Sequence, residues 1–477
     1  MMRSMFSGVS GLRAHQTKMD VIANNIANVN TVAFKSSRVT FQEVLSQTIR
    51  GSSAPDSVSG RGGTNPMQVG LGVSIASIDV IHNRGGLQRT DNLTDMAIDG
   101  EGFFIVKSPN SDLYRFTRAG NFGLDKFGNL VTADGFYVLG WQKRKEGSVT
   151  EFDTEEPVEP LNIYEDSHNN NKREIPAKAT TFTKFAGNLD AGYFSRVGSE
   201  ALFPYGGGSD QGNYSYQEII SRISGEEVFK VPYTIYDKLG REYSVTINFV
   251  KNLVDNVTDP DNPTTQWFWY INDESVPDEQ KTGAPAQGVI TFNEEGRLIK
   301  VEPVSLLQPD KGFASDIKVV PLSDYGTDDF YVTLDFSGLT QYRSKSTVVA
   351  TDSDGYASGK LVTINIGPDG VIMGIYNNGQ KQALGMVALA YFENPAGLEK
   401  LGSNLYAESI NSGQFTKGIK PGTEAVGKIS SGMLEMSNVD LSYEFTEMIT
   451  TQRGFQANSR IITTSDEMLQ ELVNLKR

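Results

Sequence analysis

Apolar residues recur every seven positions at both ends of the chain. Met5, Leu12, Met19 and Ile26 form one line, with Val9 and Ile22 beside it. Leu441, Met448, Phe455, Ile462 and Leu469 form the other, flanked by Phe445 and Leu472. This spacing predicts an amphipathic helix at each terminus and a seam suited to helix pairing. The second stripe runs over about 34 residues, ~50 Å of helix. Ser437 with Asp440 three residues later fits a capping box at its start. Gly454 inside it lowers helix stability by up to about 1 kcal/mol. A single stripe reads most simply as a helix packed on its own domain. Neither of these adjoins enough sequence to cover it, so burial against the other terminus or against neighbouring subunits is expected. Pairing the ends closes a very long loop, but that entropy grows by only ~0.6 kcal/mol per doubling of length. In an isolated subunit both ends are expected to fray.

Between the termini the pattern changes to short runs rich in Val, Ile, Thr, Phe and Tyr. FFIV at 103–106, REYSVTINFV at 241–250, QWFWYI at 266–271, YVTLDF at 331–336 and KLVTINI at 360–366 have strand length and strand composition. Hairpin-turn signals separate such runs at Asp99-Gly100, Gly128-Asn129, Asp134-Gly135, Asp354-Gly355, Asp369-Gly370 and Asn378-Gly379. Residues 51–66 and 204–213 are Gly/Ser/Pro loops, and 167–173 is a polar break. The expected fold is mainly β with α-helical termini.

Charge divides the chain more sharply than hydropathy does. Residues 151–340 carry 32 acidic and 15 basic side chains, whereas the remainder carries 26 acidic and 28 basic. Twelve of the 18 prolines also fall in the middle segment. A segment holding all the net negative charge reads as a solvated, outward-facing unit, and near-neutral flanks can pack densely against other copies. The net charge of −15 and the lack of a Lys/Arg block work against nucleic-acid binding. No apolar run is long enough to span a membrane, and the opening residues lack the apolar core and cleavage site of a secretory signal.

The sequence supplies little for catalysis. There is no cysteine, which removes disulfides, thiolate metal sites and thiol chemistry, and there are three histidines. His15 falls on the first predicted helix, His82 in a strand-like run and His168 in a polar loop. No nucleophile elbow, zinc-protease, phosphate-loop or EF-hand pattern occurs. Asp352, Asp354 and Gly355 come nearest to a calcium loop but lack its further ligands, and a hairpin turn explains them better. No catalytic residue, cofactor or metal site is expected.

Several long stretches resemble the bacterial flagellar axial proteins of the rod and hook class. GVSGLRAHQTKMDVIANNIANVNTVAFK at 8–35 is similar to that family's opening signature, with Asn24, Asn25, Asn28 and Asn30 placed to end the helix. DNLTDMAIDGEGFFIV at 91–106 and YRFTRAGNFGLDKFGNLVTADGFYVLGW at 114–141 resemble its β region. QALGMVALAYFENPAGLEKLGSNLYAES at 382–409 resembles the returning half of that region. Residues 430–477 are similar to its closing signature over nearly every position. Within the family, the large middle insertion and REIPAKATTFTKFAGNLDAGYF at 173–194 fit the hook branch better than the distal rod branch. A secreted β-rich adhesin is a more remote alternative, since it gives the paired heptads no purpose.

The resemblance implies a terminal helical assembly domain from 1–30 and 438–477, a coiled-coil-like inner tube around an export channel. It implies a connecting segment from 31–85 and 410–437, an inner β domain from 86–149 and 341–409, and an inserted acidic outer β domain from 150–340, in one part or two. The implied function is a self-assembling, flexible tubular joint that transmits torque. Its assembly interface would comprise Met5, Leu12, Met19, Ile22 and Ile26 with Leu441, Phe445, Met448, Phe455, Ile462 and Leu469. Implied partners are further copies of the chain, rod proteins, a hook cap, hook–filament junction proteins and the type III export apparatus. The implied location is extracellular, on the flagellum, with no membrane insertion. Phe41 and Leu45 match the Phe-x-x-x-hydrophobic pattern of export-gate recognition, although the same five residues equally fit one side of a short packed helix.

Overall fold

The computed structural model describes residues 2–55, 63–142, 151–165, 171–193, 196–197, 201–203, 214–223, 227–255, 263–273, 286–303, 314–319 and 330–475. Much of the 51–66 loop and all of 204–213 lie outside the described residues, as do 167–170 of the third break. The chain forms two compact units. One comprises Met1–Arg173, Val362–Ile375 and Lys381–Arg477, and the other Glu174–Leu361 with Tyr376–Gln380.

The first unit is built from both halves of the chain. Helix α1 spans Met2–Ala27 and is followed by strand Ser37–Glu43, which pairs antiparallel with Val73–Val80. The main sheet places Lys381–Val387 beside Tyr137–Trp141, then Phe103–Lys107, Tyr114–Thr117, Leu405–Ala407 and Glu399–Gly402, all antiparallel. Three strands from 103–141 thus lie between strands from 381–407, so neither half can complete the sheet alone. Phe103, Ile105, Phe116, Leu139, Trp141, Met386, Phe392 and Tyr406 form its core. Two short ladders bind the late segments to the early ones: Lys428–Ser431 on Met96–Asp99, and Met433–Glu435 on Leu87–Arg89.

The second unit contains helix α2, Tyr216–Ile223, and two sheets over a common core. In the four-stranded sheet, Phe182–Asp190 runs parallel to Phe330–Tyr342, and Ala314–Val319 and Val349–Ser353 flank them. In the other sheet, Thr264–Asp273 lies between Glu242–Asp255 and Gln287–Phe292. From Trp267 to Ile271 the run carries no alternating polar residue because both of its faces are covered. Trp267 and Trp269 enter the core with Phe336 and Ile247, while Phe268 and Tyr270 turn the other way onto Phe203, Tyr216 and Ile219. Phe203 and Phe268 stack with ring centroids 3.9 Å apart.

All five predicted strand segments lie in strands. Four turn signals lie at the ends of hairpins, with Gly128, Gly135, Gly370 and Gly379 at φ between 78° and 90°. The other two turn signals do something else. Gly100 has φ 138°, but Met96–Asp99 and Phe103–Lys107 pair with other strands rather than with each other. Asp354-Gly355 is not a hairpin turn. The Asp354 carboxylate accepts from the backbone N–H groups of Thr181 and Phe182, from Thr181 Oγ1 and from Lys178 Nζ. Burial alone would raise its pKa, but these donors outweigh burial and bring it to about 2.

Helix α3 spans Leu441–Asn474. Its N-cap is Asp440, whose carboxylate accepts from the N–H groups of Ser442 and Tyr443. The expected capping box is therefore one helical turn early. Ser437 Oγ accepts from Val439 N instead. Both terminal helices are continuous and packed together. Each is long enough for propagation to outweigh nucleation, and each finds its cover in the other.

Candidate functional site

The termini meet through a seam of mainly small and polar residues, joined by Ile22 of α1 and Ile462 of α3. On α1, Gly8, Gly11, Ala14, Ile22 and Asn25 are buried, and on α3 the buried positions are Glu444, Thr451 and Ser465. A Cβ at Gly11 would lie 2.8 Å from Asn458 Nδ2, and one at Gly8 would lie 3.3 Å from Ile462 Cγ1. At Gly454 a Cβ would lie 2.8 Å from the His15 ring. Glycine thus does in α3 what helix propensity argues against: it admits a side chain of α1. The His15 ring also meets Phe41 edge-on at 5.6 Å. Lys18 Nζ donates to Glu447 Oε2 at 2.5 Å, and Asn25 Nδ2 donates to Glu444 Oε1 at 2.9 Å. Burial pushes the Glu444 carboxyl up, and the Asn25 amide opposes it.

The seven-residue lines flank this seam. Met5, Leu12, Met19, Ile26, Met448, Phe455, Ile462 and Leu469 are half-buried, and Ile22 is buried. Leu441 and Phe445 are 39% and 49% exposed, and Tyr443, Ile449, Ile461 and Met468 are exposed as well. After intrachain pairing, α3 still presents large apolar side chains to solvent in its first turns and in its second half.

Below the helix pair lies a charged cluster that sequence reading missed. Lys35 Nζ donates to Glu435 Oε1 at 2.6 Å and to the carbonyl of Asn83 at 2.9 Å, and both charged side chains are fully buried. Arg118 approaches Glu435 Oε2 at 3.5 Å, and Gly85 N donates to Oε1 at 3.0 Å. The backbone closes the same junction. Ala33 N donates to Glu435 O, Met436 N to Gly86 O, and Ser36 N to Asn438 Oδ1. Asn438 Nδ2 in turn donates to the carbonyl of Ile81. Four separate stretches of chain, 33–37, 81–86, 118 and 435–438, are held by one carboxylate and one amide.

Burial lowers the Lys35 pKa despite the attraction of Glu435. His82 sits between Phe103 and Tyr406. Burial, followed by the positive charges of Lys35 and Arg118, lowers it to about 4. The available signal for this cluster was a lone Glu in GMLEM and a lone Lys in VAFK, each set among apolar or small residues. Its geometry makes it a structural junction. Among the described residues no group of three or more His, Asp or Glu side chains converges as a metal site, and no helix is long and apolar enough to cross a membrane.

Phe41 and Leu45 lie on extended chain, not on a helix. Phe41 is in strand Ser37–Glu43 opposite Ile75, at a bulge, and Leu45 follows it, exposed. The alternative of a short packed helix is thereby removed. Phe41 is held by His15 and by Lys18, whose Nζ is 5.9 Å from the ring centroid.

Comparison with known proteins places this geometry. Residues 5–35 match the family described as "Flagella basal body rod protein", and 430–475 match "Flagellar basal body rod FlgEFG protein C-terminal". Residues 97–183 match "Flagellar hook protein FlgE/F/G D1 domain", and 226–356 match "Flagellar basal body protein FlaE D2 domain". The chain is 39% identical to the flagellar hook protein FlgE of Borreliella burgdorferi and 36% identical to that of Treponema pallidum, in both cases over 100% of both chains. It is also 30% identical to the flagellar basal-body rod protein FlgG of Bacillus subtilis, over 100% of both chains. Among solved structures, the Helicobacter pylori flagellar hook protein FlgE2 aligns with a TM-score of 0.46 and 18% identity, covering 73% of this chain and 100% of that one.

Paired terminal helices with a β region drawn from both halves of the chain define an axial protein of the bacterial flagellum. Within that class, this chain belongs to the flagellar hook protein FlgE family.

Proposed function

We propose that the chain is the structural subunit of the flagellar hook, polymerising into a flexible tube that carries torque from rod to filament. The observation that carries this reading is the set of large apolar side chains that α3 leaves exposed after pairing with α1, Leu441, Phe445 and Ile449 in its first turns and Ile461 and Met468 in its second half. Large apolar side chains left exposed in groups mark a protein contact, and burying each contributes roughly 1.5–3 kcal/mol. The half-buried Met5, Leu12, Met19, Ile26, Met448, Phe455, Ile462 and Leu469 flank the same seam and would be covered in the polymer, whereas Ile22 is already covered within the subunit. The β units, at larger radius, would make weaker polar contacts that slide as the tube bends, with the acidic 150–340 segment outermost.

Specific partners follow from this role: rod proteins at the base, a cap at the growing tip, junction proteins at the filament and the type III apparatus that exports the chain. The role also implies an extracellular location. The test is immunogold microscopy of intact flagellated cells with antibody against residues 150–340. Gold on the short curved segment between cell and filament is expected. Gold seen only on detergent-extracted basal bodies would instead favour a distal rod subunit, the family alternative.

A further inference from the structure

The two units become complete at different points along the chain. Among the described residues, every strand in the two sheets of the second unit falls between residues 182 and 353. Apart from Tyr376–Gln380, that unit ends at Leu361. The first unit needs the other end of the chain. Met96–Asp99 and Leu87–Arg89 each form a two-stranded sheet with a late segment, Lys428–Ser431 and Met433–Glu435. Phe103, Phe116 and Trp141 share their core with Met386, Phe392 and Tyr406.

The last of these late segments ends on Glu435, and three donors from the early half converge on its carboxylate. Lys35 Nζ and Gly85 N donate to Oε1 at 2.6 and 3.0 Å, and Arg118 lies 3.5 Å from Oε2. Lys35 and Arg118 are 0% and 2% exposed. The Glu101 carboxylate also stands near Arg118, at 3.7 Å, but is 67% exposed. Closing the early half before residue 435 exists would bury two cations without their anion and leave its apolar side chains uncovered. A marginally stable fold does not tolerate both losses.

We propose that Glu435 is the closing latch of the first unit. Residues 1–173 stay open while the chain is made, and the second unit folds ahead of them. The first unit closes when the Glu435 carboxylate reaches Lys35, Arg118 and the Gly85 N–H. Chains are made from the N-terminus and generally fold unit by unit in that order; here the segment made first is the last to fold. The 400 positions between Lys35 and Glu435 make the closure long-range and slow. The proposal does not need the hook reading. In a chain exported as proposed above, the latch would hold residues 1–173 unfolded until nearly all of the chain has been made.

The test follows the full chain in cell-free translation, with pulse-labelling, brief protease treatment at successive times and antibodies against each unit. A resistant fragment from 174–361 is expected before synthesis is complete, and resistance of residues 1–173 only afterwards. Glu435→Gln should leave the second-unit fragment on its wild-type schedule and lower the resistant fraction of 1–173 roughly tenfold or more. Glu435→Asp, which keeps the carboxylate, should retain more of that fraction than Glu435→Gln. A resistant 1–173 fragment on unfinished chains, or one that precedes the second-unit fragment, would overturn the proposal. So would a Glu435→Gln chain whose residues 1–173 become resistant as in wild type. Loss of both fragments in Glu435→Gln would mean one cooperative unit instead of two and would also reject it. Equal losses in Glu435→Asp and Glu435→Gln would assign the effect to packing and count against a charge latch.

Discussion

Lys35 and Glu435 are 400 positions apart in sequence, yet their side chains meet at 2.6 Å with neither exposed to solvent. Removing one member of such a pair leaves a buried charge uncompensated, which costs about 3–5 kcal/mol. Glu435→Gln is therefore expected to lower the urea midpoint substantially and to loosen the junction of 33–37 with 435–438. Lys35→Met combined with Glu435→Leu should recover part of the loss. A single Glu435→Gln change that leaves the midpoint unmoved would mean the charges are solvated.

The His82 pKa of about 4, set first by burial, lies below the ordinary value of 6.5. Between those values the unfolded chain binds more protons than the folded one, so stability falls as pH drops from about 6.5 to 4. At about 1.4 kcal/mol per unit, the loss reaches at most about 3 kcal/mol. Unfolding curves at the two ends of this range should show a slope that His82→Leu flattens. An unchanged slope in that variant would assign the acid sensitivity to carboxylates alone.

Gly454 and His15 make opposite predictions in two backgrounds. In the wild-type chain, Gly454→Ala drives a methyl group into the His15 ring and should weaken the pairing of α1 with α3. In a His15→Ala background the same change should stabilise α3 by up to about 1 kcal/mol, the ordinary preference of a helix for alanine. A double-mutant cycle by thermal unfolding reads the reversal of sign, and equal effects in both backgrounds would refute the contact.

Phe445 is half-exposed in the subunit, whereas Thr451 on the same helix is buried. Phe445→Asp should leave the subunit's unfolding midpoint within about 0.5 kcal/mol of wild type, as for other surface changes, while abolishing polymerisation. Light scattering and circular dichroism on the same sample separate the two effects. Polymers of normal length from the variant would place the assembly face elsewhere.

Phe41 and Leu45 can be tested apart because Phe41 packs on His15 and Lys18 whereas Leu45 is largely exposed. Phe41→Ala removes the ring from His15 and Lys18, so a secretion defect there has two explanations. Leu45→Ala changes an exposed side chain and should retain the protein inside the cell only if the motif is read during export. Secretion of the Leu45→Ala and double alanine variants at wild-type levels would remove the export assignment.

Sequence by itself determined the helical termini, their seven-residue period, the β-rich interior and four of the hairpin turns. These depend on local periodicity and on the backbone freedom of residues such as Gly135 and Gly379. It also carried the family, through long ordered signatures at both ends. Tertiary structure alone decided which face of each helix is buried. The seven-residue lines gave the period, but the deepest contact runs through Gly8, Gly11, Gly454 and Asn458, because small residues let two backbones approach where larger ones would hold them apart. It also decided that Asp354 binds a neighbouring strand start and that Phe182–Asp190 runs parallel to a strand some 150 residues away. Above all it decided that Lys35, Arg118 and Glu435 share one buried site. Ion pairing depends on distance in space, and no pattern along the chain records that three isolated charges will be desolvated together.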